Sequence, residues 1–134
     1  MKKEKSCGAV VINDKNEVLL VYHNAGHISF PKGHVENNET EVETAYREVL
    51  EETGIEIEIM DNIREVNIYN LKGGIVKDVV FFKAKPITNI LKPQLEEVFK
   101  VCFMDINKAF DIITYDSDRQ ILRRIIERSD KDEY

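Results

Sequence analysis

GHVENNETEVETAYREVLEETGI, residues Gly33–Ile55, decides how the rest of this chain is read. Val42, Ala45, Tyr46, Val49 and Leu50 recur at helical spacing and predict an amphipathic helix from about Glu39 to Thr53. Asn38 is expected as its N-cap, with Glu41 three residues on completing a capping box, and Gly54 as its left-handed stop. The apolar stripe is expected to face the core, on the opposite side from Glu48 and Glu52. Glu48, Glu51 and Glu52 stand at i, i+3 and i+4, a spacing that places them on one helix face. Like charges held together repel unless a cation sits among them, and hard divalent cations choose oxygen ligands. The helix therefore reads as a carboxylate site for a metal ion.

On the N-terminal side, Ser6–Ile12 and Glu17–Tyr22 are apolar and β-branched, separated by the turn residues Asn13–Asn16. They read as two strands of a hairpin. A loop over His23–Ser29 follows, and Phe30-Pro31 leads into a short strand or tight loop at Lys32–Val35. On the C-terminal side, Glu56–Met60, Arg64–Tyr69, Ile75–Ala84 and Glu97–Phe103 read as strands, with Lys72-Gly73-Gly74 as a hairpin turn and a loop over Thr88–Gln94. Asp105 is placed to cap a short helix through Phe110. Asp116 or Ser117 starts a last helix that buries Ile121, Leu122, Ile125 and Ile126, and a charged tail from Ser129 is expected to fray. Strands, helix, strands, helix is the order of an α/β sandwich around a mixed sheet, in one domain spanning residues 1–134.

The chain has 134 residues, 43% hydrophobic and 33% charged, with a net charge of −6. That acidity argues against an extended nucleic-acid surface, while leaving room for a local basic pocket. Cys7 and Cys102 sit far apart in apolar runs and read as buried reduced thiols. The N-terminus lacks a signal-peptide pattern, and no run approaches the ~18 apolar residues of a membrane helix. A cytoplasmic protein without a membrane partner is expected, as a monomer or a homodimer.

Gly33–Ile55 also resembles the Nudix box, G-x5-E-x7-R-E-U-x-E-E-x-G-U, where U is a bulky aliphatic residue. Gly33, Glu39, Arg47, Glu48, Val49, Glu51, Glu52, Gly54 and Ile55 fill every fixed position. The resemblance implies the Nudix fold, an α/β/α sandwich, and metal-dependent hydrolysis of diphosphates linked to another group. It implies that Glu48, Glu51 and Glu52 bind Mg²⁺ or Mn²⁺, with the backbone carbonyl of Lys32. Glu97, or Glu96 by one residue, matches a further ligand, and Arg47 matches the arginine that orients the glutamates. On this resemblance the general base is expected to be a box glutamate, Glu48 or Glu51. Arg47 can pair with Glu43 or Glu51 from a different helix face than Glu48, and Glu39 reads as structural.

Outside the box, Phe30–Glu36 looks like the SFPKGHVE segment of diadenosine tetraphosphate (Ap4A) hydrolases, the bis(5′-nucleosyl)-tetraphosphatases. Cys7-Gly8-Ala9-Val10 and Lys77 ahead of DVVFF are similar to that subfamily as well. On this resemblance Lys32 and Lys77 would contact the polyphosphate, His34 would touch phosphate or a proton in transfer, and Tyr69 and Tyr115 would stack on a base. Stacking of this kind contributes about 1–3 kcal/mol per base. The expected reaction is Ap4A to ATP and AMP. A modified nucleoside triphosphate or an RNA 5′ end are the alternative substrates. A non-catalytic sensor is disfavoured, because every box glutamate is present.

Overall fold

The structure, a computed structural model, describes residues 2–132, with side chains through Asp130. Its centre is β1 (Lys2–Val11), whose Ser6–Val11 half is fully buried. A strand buried on both faces needs a neighbour on each edge and a layer on each side. The edges are taken by β4 (Lys32–His34), antiparallel, and by β6 (Ile75–Pro86), parallel. β5 (Ile57–Leu71) completes a mixed sheet of order β4-β1-β6-β5. A second sheet, β3-β2-β7, comprises β3 (Ile28–Ser29), β2 (Glu17–His23) and β7 (Val98–Asp105).

Alternation along β1 separates the two layers. Ala9 and Val11 pack with Val49, Ile55 and Ile57 toward α1 (Glu41–Thr53). Val10 packs the other way, with Phe30, Phe81, Leu122 and Ile125, beneath α2 (Ile106–Ile112) and α3 (Asp116–Asp132). This is the expected α/β/α arrangement.

Several local expectations are corrected. β1 and β2 do not form a hairpin. The Asn13–Asn16 turn exists, with Asn13 Oδ1 accepting from the amides of Lys15 and Glu17. Beyond the single bridge Ile12–Val18 the strands separate, because both edges of β1 are occupied. The two strands expected over Glu56–Met60 and Arg64–Tyr69 are one, β5, bent at Asp61 and Asn62, which adopt φ of 59° and 52°. The α1 cap is Thr40, not Asn38. Thr40 Oγ1 accepts from the Glu43 amide, and the Thr40 amide donates in turn to Glu43 Oε1. Asn38 sits at φ 67°, outside the extended backbone that an N-cap uses. α1 does end at Gly54, at φ 78°.

The inward face of α1 also differs. Ala45 and Val49 are buried, but so are Thr44, Thr53 and Glu52, whereas Val42, Tyr46 and Leu50 are exposed. Hydrophobicity alone centres the stripe wrongly, because a hydrogen-bonded carboxylate occupies part of the buried face. Cys7 is buried, Cys102 only half-buried, and both are free thiols. The expected frayed tail is helical to Asp132; Glu133 and Tyr134 lie outside the described residues. Among the described residues no helix is long and apolar enough to cross a membrane.

The β1–β4 pairing sets Gly8 opposite Lys32. A Cβ on Gly8 would collide with the carbonyl oxygen of Pro31 and approach Lys32 Cβ to 2.7 Å. Gly8→Ala is therefore expected to cost about 2 kcal/mol, since backbone cannot yield as a side-chain tip can. Urea denaturation measures it; an unchanged midpoint would show that the β1–β4 spacing is adjustable.

Candidate active site

β4 crosses the buried end of α1, and the site begins at that crossing. The Lys32 amide donates to Glu52 Oε1 at 2.9 Å. Gly33 lies over Glu48, so close that a Cβ there would overlap its carboxylate. Glycine is needed for this approach, not for an unusual φ. Glu52 is 2% exposed. Burial pushes its carboxyl up to about 7; the Lys32 amide opposes this, while the negative charges of Glu48 and Glu97 reinforce it. Glu48 is also raised, by burial first, against the pull of Arg47. Glu51 is exposed.

Arg47 ties the cluster together. Its Nε and Nη2 grip both oxygens of Glu39 at 2.7 and 2.9 Å, and Nη2 also donates to the His34 carbonyl at 2.9 Å. Nη1 reaches Glu48 at 2.7 Å and Glu51 at 3.2 Å. The expected Glu43 partner is not used, because Glu43 closes the capping box. Nor does sitting on another face keep Arg47 from Glu48: the long guanidinium arm curls back to its neighbour. Glu39 is held down at about 2, chiefly by Arg47 and then by the Glu36 amide. It also accepts from Thr44 Oγ1 at 2.9 Å, in keeping with a structural part.

Glu97 directly precedes β7, its carbonyl accepting from the Asn24 amide at 2.8 Å. It is the charge of Glu97 that is felt at both Glu48 and Glu52. Among the described residues no three His, Cys, Asp or Glu side chains already converge as a metal-binding group. Arg47 and the Lys32 amide occupy the carboxylates instead. The donor set nonetheless suits a hard divalent cation: it is all oxygen, with Glu48 and Glu52 pushed toward neutrality chiefly by burial and Glu52 further by Glu48.

Beside this cluster lies a cavity of about 210 Å³. Lys32, Tyr69, Lys77 and Tyr115 all line it, together with His27, Ser29, Val79, Ser117 and Asp118. Four residues singled out on four separate segments thus meet in one place. Tyr69 and Lys77 are cross-strand partners on β5 and β6. The Tyr69 hydroxyl is 3.0 Å from Ser117 Oγ, which fixes the ring against the start of α3. Burial and the nearby Lys32 charge lower the Lys77 ammonium. His34 does not line the cavity; it is exposed, with Nδ1 3.5 Å from Ser6 Oγ. A larger cavity of about 610 Å³ lies at the turn Asn13–Lys15 and Lys85–Asn89, lined by none of the candidate residues.

His27, Ser29, Ser117 and Asp118 line the cavity although the sequence alone gives none of them a site role. The His27 ring stacks on His23 at 4.0 Å and lies 5.8 Å from Tyr115. Burial lowers both imidazoles, His23 to about 4, so this wall is neutral near pH 7. Asp118 is 5% exposed. Burial pushes its carboxyl up to about 6, opposed by the charges of Lys32 and Arg119. An acidic residue near a helix start reads as a cap or a dipole partner, so nothing local marks it as a cavity wall.

The NUDIX domain profile matches residues 2–127. This chain belongs to the Nudix hydrolase family. An 8-oxo-(d)GTP phosphatase of Mycolicibacterium smegmatis is 34% identical over 100 residues, covering 75% of this Nudix chain and 30% of that protein. A Mycobacterium tuberculosis protein described as "Putative mutator protein MutT4" is 30% identical over 105 residues, covering 77% and 42%. The chain therefore spans less than half the length of these two relatives. Among solved structures, a C. elegans Ap4A hydrolase binary complex superposes with a TM-score of 0.84 at 26% identity, over 96% of this chain and 98% of that one. A Nudix hydrolase from Nitrosomonas europaea gives 0.76 at 26% identity, over 95% and 72%.

Proposed function

We propose that this Nudix hydrolase is a metal-dependent pyrophosphohydrolase acting on dinucleoside polyphosphates such as Ap4A. The observation that carries this is the shared lysine. Lys32 joins the carboxylate cluster through its amide and the two-tyrosine, two-lysine cavity through its side chain. Tyr69 and Tyr115 offer faces for a base, Lys77 and Lys32 offer charge for phosphates, and the cluster stands where the chain of phosphates would continue. The likeness to a C. elegans Ap4A hydrolase over nearly its whole length supports this reading.

In this reading Glu48, Glu51, Glu52, Glu97 and the Lys32 carbonyl hold Mg²⁺ or Mn²⁺, which when bound neutralises phosphate charge and lowers the pKa of water. Glu48 or Glu51 takes the proton of the attacking water. The water oxygen bonds to phosphorus, the bridging P–O bond breaks, and its electron pair leaves on the departing polyphosphate; from Ap4A this yields AMP and ATP. Arg47 aims Glu48 and Glu51, and Glu39 in turn holds Arg47.

The phosphatase relative favours a second reading, hydrolysis of an 8-oxo nucleoside triphosphate. A panel of kcat/KM values for Ap4A, dGTP, 8-oxo-dGTP, ADP-ribose and triphosphorylated RNA separates the two. Ap4A is expected to rank first; a ranking below the triphosphates overturns the dinucleotide reading. Lys77→Ala should raise KM for Ap4A about tenfold with little change in kcat, as for a charge-assisted phosphate contact. An unchanged KM would remove Lys77 from the substrate path.

A further inference from the structure

Asn24 lies in the tight turn between β2 and β3, where the Gly26 amide donates to the His23 carbonyl at 2.8 Å and the His23 amide to the His27 carbonyl at 2.9 Å. Asparagine in such a place ordinarily serves the turn, by bonding its own backbone two residues on. This side chain instead reaches 71 and 72 residues along the chain. Its Nδ2 donates to the carbonyls of Leu95 at 3.3 Å and Glu96 at 3.2 Å. The Asn24 amide donates to the next carbonyl, that of Glu97, at 2.8 Å. Three successive carbonyls are thus held by one residue.

The segment so held has little else to place it. Residues 87–97 join β6 to β7 with neither helix nor strand. The β2–β7 ladder shifts register between Tyr22 and His23, so the pairing of His23 with Val98 does not carry its order into the residues before Val98. On the α1 side the Gln94 amide donates to the Glu52 carbonyl at 3.2 Å, and the Glu97 and Val98 amides close a turn on the Gln94 carbonyl at 3.1 and 3.0 Å. Asn24 is the anchor on the β2 side. Glu97 needs one. The other carboxylates of the cluster are held at their oxygens, Glu48 and Glu51 by Arg47 and Glu52 by the Lys32 amide. Among the described residues no such donor holds the Glu97 carboxylate, so its backbone decides where it can reach. Its charge is nonetheless felt at both Glu48 and Glu52. We infer that Asn24 is a positioning residue for the metal site: by fixing the Leu95–Glu97 backbone it keeps the Glu97 carboxylate with the Glu48–Glu52 cluster.

The inference rests on the assignment of Glu97 as a metal ligand in the proposed function, and adds what places it. The test measures Mn²⁺ affinity without nucleotide, from the electron paramagnetic resonance signal of the free ion. The proteins compared are the wild type, Asn24→Ala, Asn24→Asp, Glu97→Gln, Glu96→Gln and the double variants. Asn24→Ala should weaken Mn²⁺ binding about tenfold, the low end for losing a partner that orients a metal ligand. Asn24→Asp should weaken it as well: aspartate suits the turn equally, but its ionised carboxylate cannot donate to the Leu95 and Glu96 carbonyls. In the Glu97→Gln background the Asn24 changes should cost about twofold or less, because no carboxylate is left to place. Wild-type affinity in Asn24→Asp, or in Asn24→Ala while Glu97→Gln is weakened, overturns the inference and marks Asn24 as serving the turn. Additive losses in the Glu97→Gln double variants overturn it too, as does coupling to Glu96→Gln in place of Glu97→Gln. Glu97→Gln binding Mn²⁺ like the wild type sinks the ligand assignment and the inference with it, so failure of the reading is told apart from failure of the inference alone.

Discussion

Glu52→Gln is expected to lower Mg²⁺-dependent kcat/KM by about 10³-fold while leaving the fold intact. The substitution preserves volume and an oxygen that can still accept from the Lys32 amide, now 2.9 Å from Glu52 Oε1. It removes only the charge. At a position 2% exposed, solvent screens that charge little. Losing one preorganised electrostatic group at a reacting phosphate typically costs 10²–10³ in rate, about 2.7–4 kcal/mol. The same change should separate binding from folding. Excess Mg²⁺ should raise the wild-type Tm by several degrees, since a ligand at 100 times its Kd stabilises by about 2.7 kcal/mol. It should move the Glu52→Gln protein little. Full Mg²⁺-dependent turnover by the variant on every nucleotide of the panel would show that this carboxylate is not part of the chemistry.

Arg47→Lys comes next in size. The guanidinium spans Glu39, Glu48, Glu51 and the His34 carbonyl at once. An ammonium has three donors on one atom and cannot hold a bidentate grip on Glu39 while reaching two other carboxylates. Glu48 and Glu51 would then move apart under their own repulsion. The expected result is a fall in kcat of about 10²-fold with a smaller change in KM, the pattern for groups that orient metal-binding carboxylates. Stability should fall by about 1–2 kcal/mol from the lost charge-assisted bonds. Glu39→Gln should reproduce part of the kcat loss, because Glu39 positions Arg47 through its two guanidinium bonds. If Arg47→Lys matched wild type in kcat, the arginine would be serving the helix alone.

The carboxylate helix was legible because its cues are local. Three glutamates at i, i+3 and i+4 share a face whatever surrounds the helix, and Gly54 ends it for reasons confined to one residue's φ. The cap differs for a tertiary reason: Asn38 and Thr40 are both good cap residues, each with a glutamate three residues on, but Asn38 is held at φ 67° and Glu41 is taken by Lys5 and Arg64, which leaves Thr40 and Glu43 to close the box. The β1–β2 hairpin failed because turn chemistry says where a chain reverses and not which neighbour each strand takes. Burial of Glu52 was invisible in the hydrophobic pattern, since its partner is a backbone amide 20 residues away.

The helix, its carboxylates and the hard cation they suit follow from residue types at fixed spacings along one element, which a linear chain already carries. It is tertiary packing that gathers Lys32, Tyr69, Lys77, Tyr115 and Asp118 into one cavity wall and leaves His34 outside it. Those relations depend on β4 pairing with β1, β5 with β6, and α3 packing on β5. They are set by the burial of surfaces far apart in the chain, which no local pattern encodes.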